Sequence, residues 1–127
     1  MKKLLGILVL GIGIIFLIPD KTFAGNCTTE VTGTDNTRRD CSDDEILTVG
    51  ENGVISRKWK VVDTGDNNAD TVIIHNYGLL RSTKNTSNAI SLIGSTNNTI
   101  NNYSDATIQG SFRSINGTTA TNLTIVN

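Results

Sequence analysis

The lone histidine of this chain, His75, lies within the phrase Ile74-His75-Asn76-Tyr77-Gly78. General acid–base work would need a second titratable group within reach. None accompanies His75 at a defined spacing, so it is expected to be a strand residue facing solvent. The segment Asp63-Thr64-Gly65-Asp66-Asn67-Asn68-Ala69-Asp70 has the composition of a calcium loop. It lacks the spaced ligands and closing Glu of an EF-hand, and the Gly-Gly-x-Gly-x-Asp repeat, so a tight turn between coils is expected. Asp63, Asp66 and Asp70 share that one turn, and the second and third coils add only Asp105. No facing carboxylate pair of the sort glycoside hydrolysis requires is indicated. The cluster Asp40, Asp43, Asp44 and Glu45 is expected to be a solvated edge. The sequence therefore predicts no catalytic residue, no metal ligand and no cofactor, and the chain is not expected to be an enzyme.

Arg57, Lys58, Trp59 and Lys60 form a basic–aromatic cluster. An exposed indole has an apolar face and a polar tip and can stack on a sugar, but packing of Trp59 under an N-terminal cap is the expectation. Cys27 and Cys41 are the only cysteines, and in an exported chain an even count predicts a disulfide. Closing such a loop adds about 3 kcal/mol on a chain-entropy basis. Asn-x-Ser/Thr triplets begin at Asn26, Asn85, Asn97, Asn102, Asn116 and Asn122, a number that the abundance of Asn and Thr accounts for.

The elements that must carry these residues are announced by a repeat. Val49-Gly50-Glu51-Asn52-Gly53-Val54-Ile55 is followed by Ile74-His75-Asn76-Tyr77-Gly78-Leu79-Leu80, then by Ile100-Asn101-Asn102-Tyr103 and Ile125-Val126-Asn127, with anchors stepping by 25, 26 and 25 residues. A fixed period of this size signals a solenoid. Short β-branched runs punctuated by Gly, Asn and Asp make it a β one. The expected fold is all-β, a parallel β-helix of about three coils over residues 46–127. Val49, Ile74, Ile100 and Ile125 are expected in one interior column. Asn76, Asn102 and Asn127 are expected in a ladder of side-chain hydrogen bonds, with Tyr77 and Tyr103 beside it and Asn52 in the same place in the first coil. The polar stretch 81–88 is expected as an exposed loop. Residues 25–45 lie outside the repeat and are expected to form a disulfide-linked cap over the first coil.

Residues 1–24 have the form of a secretory signal peptide: Lys2 and Lys3, an apolar run from Leu4 to Ile18, and small residues up to Ala24. The run is about 15 residues, short of the ~20 that span a bilayer. Removing residues 1–24 takes away Lys2, Lys3, Lys21 and Asp20, leaving eight basic against eleven acidic residues and a net charge of −3. That balance argues against nucleic acid as a partner.

The pattern Ile-x-Asn-x-Gly-x-Ile, a polar stretch and Ala-Ile-x-Leu-x-Gly-Ser is seen at Ile74–Leu80 with Ala89-Ile90-Ser91-Leu92-Ile93-Gly94-Ser95 and again, more loosely, from Ile100 to Gly117. It resembles the passenger β-helix of bacterial autotransporter proteins over most of residues 46–127. The opening from Cys27-Thr28-Thr29 to Cys41-Ser42-Asp43-Asp44-Glu45-Ile46-Leu47-Thr48-Val49 also resembles the start of such passengers. The resemblance implies an exported, adhesin-like surface module, on the cell surface or outer membrane or secreted, with cell-surface or carbohydrate ligands. It also implies a C-terminal barrel in a full-length form. No barrel-like series of alternating ~10-residue strands follows in these 127 residues, and the apolar Leu123–Val126 strand is uncapped. A truncated product is expected, periplasmic if the barrel is truly missing, with edge-mediated self-association. The alternative function is the N-terminal part of a carbohydrate-active β-helix enzyme, a polysaccharide lyase or hydrolase.

Overall fold

The computed structural model describes residues 26–64 and 69–127. The expected signal peptide and the Gly65–Asn68 part of the calcium-like segment fall outside the described residues. The chain winds in rungs of three short strands. A first, abbreviated rung holds β1 (Thr34–Asp35) and β2 (Arg39–Asp40). The second holds β3 (Ile46–Val49), β4 (Val54–Arg57) and β5 (Val62–Asp63), and the third holds β6 (Ile73–Asn76), β7 (Leu79–Ser82) and β8 (Asn88–Ser91). The fourth holds β9 (Thr99–Asn102), β10 (Thr107–Gln109) and β11 (Arg113–Asn116), and β12 (Thr124–Val126) opens the next.

Every strand pairs in parallel with its counterpart one rung away, giving three four-stranded sheets. Sheet A is β3-β6-β9-β12, sheet B is β1-β4-β7-β10 and sheet C is β2-β5-β8-β11. The fold is a parallel β-solenoid of about three coils, as the repeat predicts. Alternation sets the inside: Val72, Ile74 and Asn76 are buried while Ile73 and His75 between them are only half-covered. Leu47, Ile55, Val61, Val62, Leu80, Ile90, Leu92 and Ile100 fill the interior. Each such side chain contributes about 1.5–3 kcal/mol by leaving water.

The interior column differs from the expected one at both ends: its first member is another residue, and Ile125 at its last is 50% exposed because no described rung covers β12. Leu47, not Val49, pairs with Ile74, and the column continues through Ile100 to Ile125. Val49 pairs with Asn76 instead, and Val31 bridges to Val49 from the rung before. The cause is corner length. Between sheets A and B the chain spends four residues at 50–53, two at 77–78 and four at 103–106. Aligning the Gly-containing phrases without that two-residue difference shifts sheet A by two positions. For the same reason Asn52 is not at the head of the Asn column; it is exposed in the turn.

The N-terminal segment is also nearer to the repeat than its composition suggests. Val31, β1 and β2 stack on Val49, β4 and β5, so residues 31–40 form a shortened rung in register with the others. The Cys27–Cys41 disulfide closes it, with Cα atoms 5.3 Å apart. Asn26 stitches the same turn: its Nδ2 donates to Arg38 O and its Oδ1 accepts from Asp40 N, both at 2.8 Å.

Candidate functional site

The corner between sheets C and A is built on left-handed backbone. Asp44, Thr71, Asn97 and Asn122 have φ of 60°, 62°, 56° and 52°, and each stands two residues before the sheet A strand of its rung. Asn and Asp tolerate this region; a β-branched Thr does not. Asn122 Nδ2 donates to Asn97 Oδ1 at 3.0 Å. Carboxylates staple the same corner from rung to rung, Asp43 Oδ1 accepting from Asp70 N at 2.9 Å and Asp70 Oδ1 from Thr96 N at 2.7 Å. These acids are spent on backbone amides.

At the corner between sheets A and B, Asn76 is fully buried. Its Nδ2 donates to Asn102 Oδ1 at 2.8 Å, and Asn102 Nδ2 donates to Asn127 Oδ1 at 2.7 Å. The structure thus places the three predicted ladder residues in one hydrogen-bonded column. Outside it, Tyr77 and Tyr103 stack with centroids 4.0 Å apart and planes 7° from parallel. His75 does face outward, but with company: its Nδ1 lies 3.1 Å from Tyr103 Oη. The Tyr103 hydroxyl holds the Tyr77 hydroxyl above its ordinary titration range. Glu51 and Asp105 meet the two tyrosines in a cleft of about 530 Å³ that Ser104 completes. Two carboxylates therefore share one cleft, which the sequence did not reveal because Glu51 and Asp105 lie two rungs apart in the chain.

The corner between sheets B and C has the opposite character. It comprises residues 36–38, 58–61, 83–87 and 110–112. All eight basic residues of 26–127 (Arg38, Arg39, Arg57, Lys58, Lys60, Arg81, Lys84 and Arg113) lie in it or within two residues of it. The acids nearby are already engaged. Asp35 binds Arg39, Asp40 takes Arg38 Nε at 2.6 Å, and buried Asp63 takes Lys60 Nζ at 2.8 Å with Arg38 Nη1 at 3.7 Å. Arg57, Lys58, Arg81, Lys84 and Arg113 form no ion pair among the described residues.

Aromatic rings interleave with this charge. Trp59 is 49% exposed rather than packed beneath the disulfide turn, and Phe112 is 60% exposed. Lys84 Nζ sits 3.1 Å from the centroid of Trp59, and Arg113 Cζ 4.8 Å from that of Phe112, both cation–π distances. Arg38, Arg57, Trp59 and Lys60 line a recess of about 400 Å³, within the size range of small-ligand sites. The expected exposed loop at 81–88 is narrower than its polarity suggests, since Ser82, Ser87 and Asn88 are buried.

One grouping among the described residues has metal-ligand types, Cys27, Cys41 and Glu45. Both sulfurs are consumed in the disulfide, and Glu45 Oε2 accepts from Ser42 N at 2.9 Å. No thiolate remains to coordinate a metal. The chain matches no protein-family model, no curated protein and no solved structure.

Proposed function

We propose that this chain is an exported, non-catalytic surface module of the autotransporter-passenger type, which meets its ligands on the outside of the solenoid. One observation carries the proposal. The interior is filled rung by rung with aliphatic side chains and the Asn column, so chemistry is left to side chains at the corners, where the same kinds of group recur from rung to rung. Repetition along an axis suits recognition of an extended partner. The signal-peptide features of residues 1–24 support export.

The test uses the full chain expressed in a Gram-negative host. The protein is expected outside the inner membrane, beginning at Gly25. Incubated with a panel of acidic and neutral polysaccharides, it should bind without releasing new reducing or unsaturated ends. Bond cleavage at any rate that tracks the protein would overturn the non-catalytic assignment.

A further inference from the structure

We propose that the corner between sheets B and C is a binding site for an acidic polysaccharide, a chain of carboxylate-bearing sugar rings laid along the solenoid axis. This deepens the proposed function, because the preference for a saccharide over a nucleic acid rests on export.

Charge distribution carries the inference. Residues 26–127 carry eight basic against eleven acidic side chains, yet place every basic one at a single one of the three corners. The acids found there neutralise Arg38, Arg39 and Lys60 and hold them in place. The remaining five cations recur in successive rungs: Arg57 and Lys58, then Arg81 and Lys84, then Arg113. Parallel strands are ~4.8 Å apart, so from Arg38 to Arg113 the stripe covers about 14 Å. That is a linear footprint, not a point. Guanidinium forks match carboxylates in a planar, two-bond geometry.

The rings supply the second element. Trp59 and Phe112 stand two rungs apart on the same stripe, each with a cation against it and a large exposed area. A sugar ring offers C–H bonds to such a surface and its carboxylate to the adjoining cation. The recess formed by Arg38, Arg57, Trp59 and Lys60 is concave, which fits a projecting ring better than a flat bilayer.

Trp59 is the only tryptophan in the chain, so its emission reports this site alone. The exported full chain is titrated with a polygalacturonate oligomer and with the same oligomer after methyl esterification, which removes the charge and keeps the skeleton. The acid form should change Trp59 emission saturably, and the ester should bind about tenfold or more weakly, the worth of one charge-assisted hydrogen bond. Arg57→Gln and Lys84→Gln should each weaken the acid form by about tenfold on the same basis. Glu51→Gln, at another corner, should leave it within about twofold because salt screens distant charge.

Absence of binding by the wild-type protein, equal affinity for acid and ester, or tighter saturation by single-stranded DNA or by phosphatidylserine vesicles would each overturn the site. Equal strengthening by Glu51→Gln on every anion would do the same, since it would show only diffuse attraction. Binding accompanied by cleavage would keep the site and remove the non-catalytic assignment. Export without binding would remove the site and leave that assignment standing.

Discussion

Asn76 occupies a place that Val49 fills one rung earlier and Asn102 one rung later. In the first case the corner that follows has four residues and closes on itself through Gly53 N and Gly50 O at 2.8 Å. In the second it has two, and Asn76 serves it directly: Oδ1 accepts from Gly78 N at 3.3 Å and Nδ2 reaches Asn102 and Thr107 O. The polar residue is buried where the backbone needs a partner. Truncation to Asn76→Ala should cost about 1–3 kcal/mol by leaving those groups unpaired, and more than Asn102→Ala, whose site is only half-buried. Urea midpoints for the two variants check both the size and the order. Thr71 presents the converse situation: an exposed β-branched residue at φ 62° in a column otherwise occupied by Asp and Asn. Thr71→Asn should therefore raise stability, by up to about 1 kcal/mol, read as a higher denaturation midpoint.

At the scale of elements, the corners decide more than the strands. Gly53 and Gly78 lie one above the other, and a Cβ on Gly78 would come within 2.1 Å of Gly53 O. Backbone cannot yield as a flexible side chain would, so Gly78→Ala should destabilise by about 1–3 kcal/mol, measurable by thermal denaturation. The β1–β2 corner carries a pH dependence. Thr37 N–H donates to Asp35 Oδ1 at 2.7 Å, and with Arg39 alongside it holds the Asp35 carboxyl below its ordinary range, against a smaller opposing effect of burial. With the folded value lower than the unfolded one, the stabilisation is complete above the unfolded value near 4 and is lost as pH falls through the folded value. Stability measured from about pH 5 downward should fall more steeply in the wild type than in Asp35→Asn. Parallel slopes would show that Asp35 is not linked to folding.

For the molecule as a whole, the disulfide and the charge pattern act on different problems. Among the described residues, the abbreviated first rung, with two-residue strands β1 and β2, lies over the first full coil on that side, and Val31 is its one buried aliphatic side chain. The Cys27–Cys41 bond secures it covalently across a separation of 14 residues. Replacing both cysteines with serine should lower stability by about 3 kcal/mol. Hydrogen exchange should show the loss first at β1 and β2, since terminal units open before central ones. The charge pattern leaves one corner basic and the other two acidic, which the net charge of −3 for residues 26–127 conceals. Long-range steering of an anion toward one corner is then available to a chain that is slightly acidic overall.

What the sequence determined by itself was local and periodic. The β-branched runs specified strands, the spacing of about 25 residues specified a solenoid, and the recurrence of Asn76, Asn102 and Asn127 located a column. These properties are legible because each is repeated within a short window. Three others were decided only by the tertiary structure. The register of Leu47 against Ile74 depends on a corner of four residues followed by one of two, a difference that a repeat alignment absorbs silently. Residues 31–40 form a rung because Val31 and two very short strands find partners 18 to 23 residues further on, a pairing with no signature in their polar composition. The basic stripe arises because residues as far apart as Arg38 and Arg113 reach one corner only when the rungs stack. A chain encodes what its neighbours along the backbone must do, but proximity between rungs follows from loop closure and packing, which composition and charge counts average away.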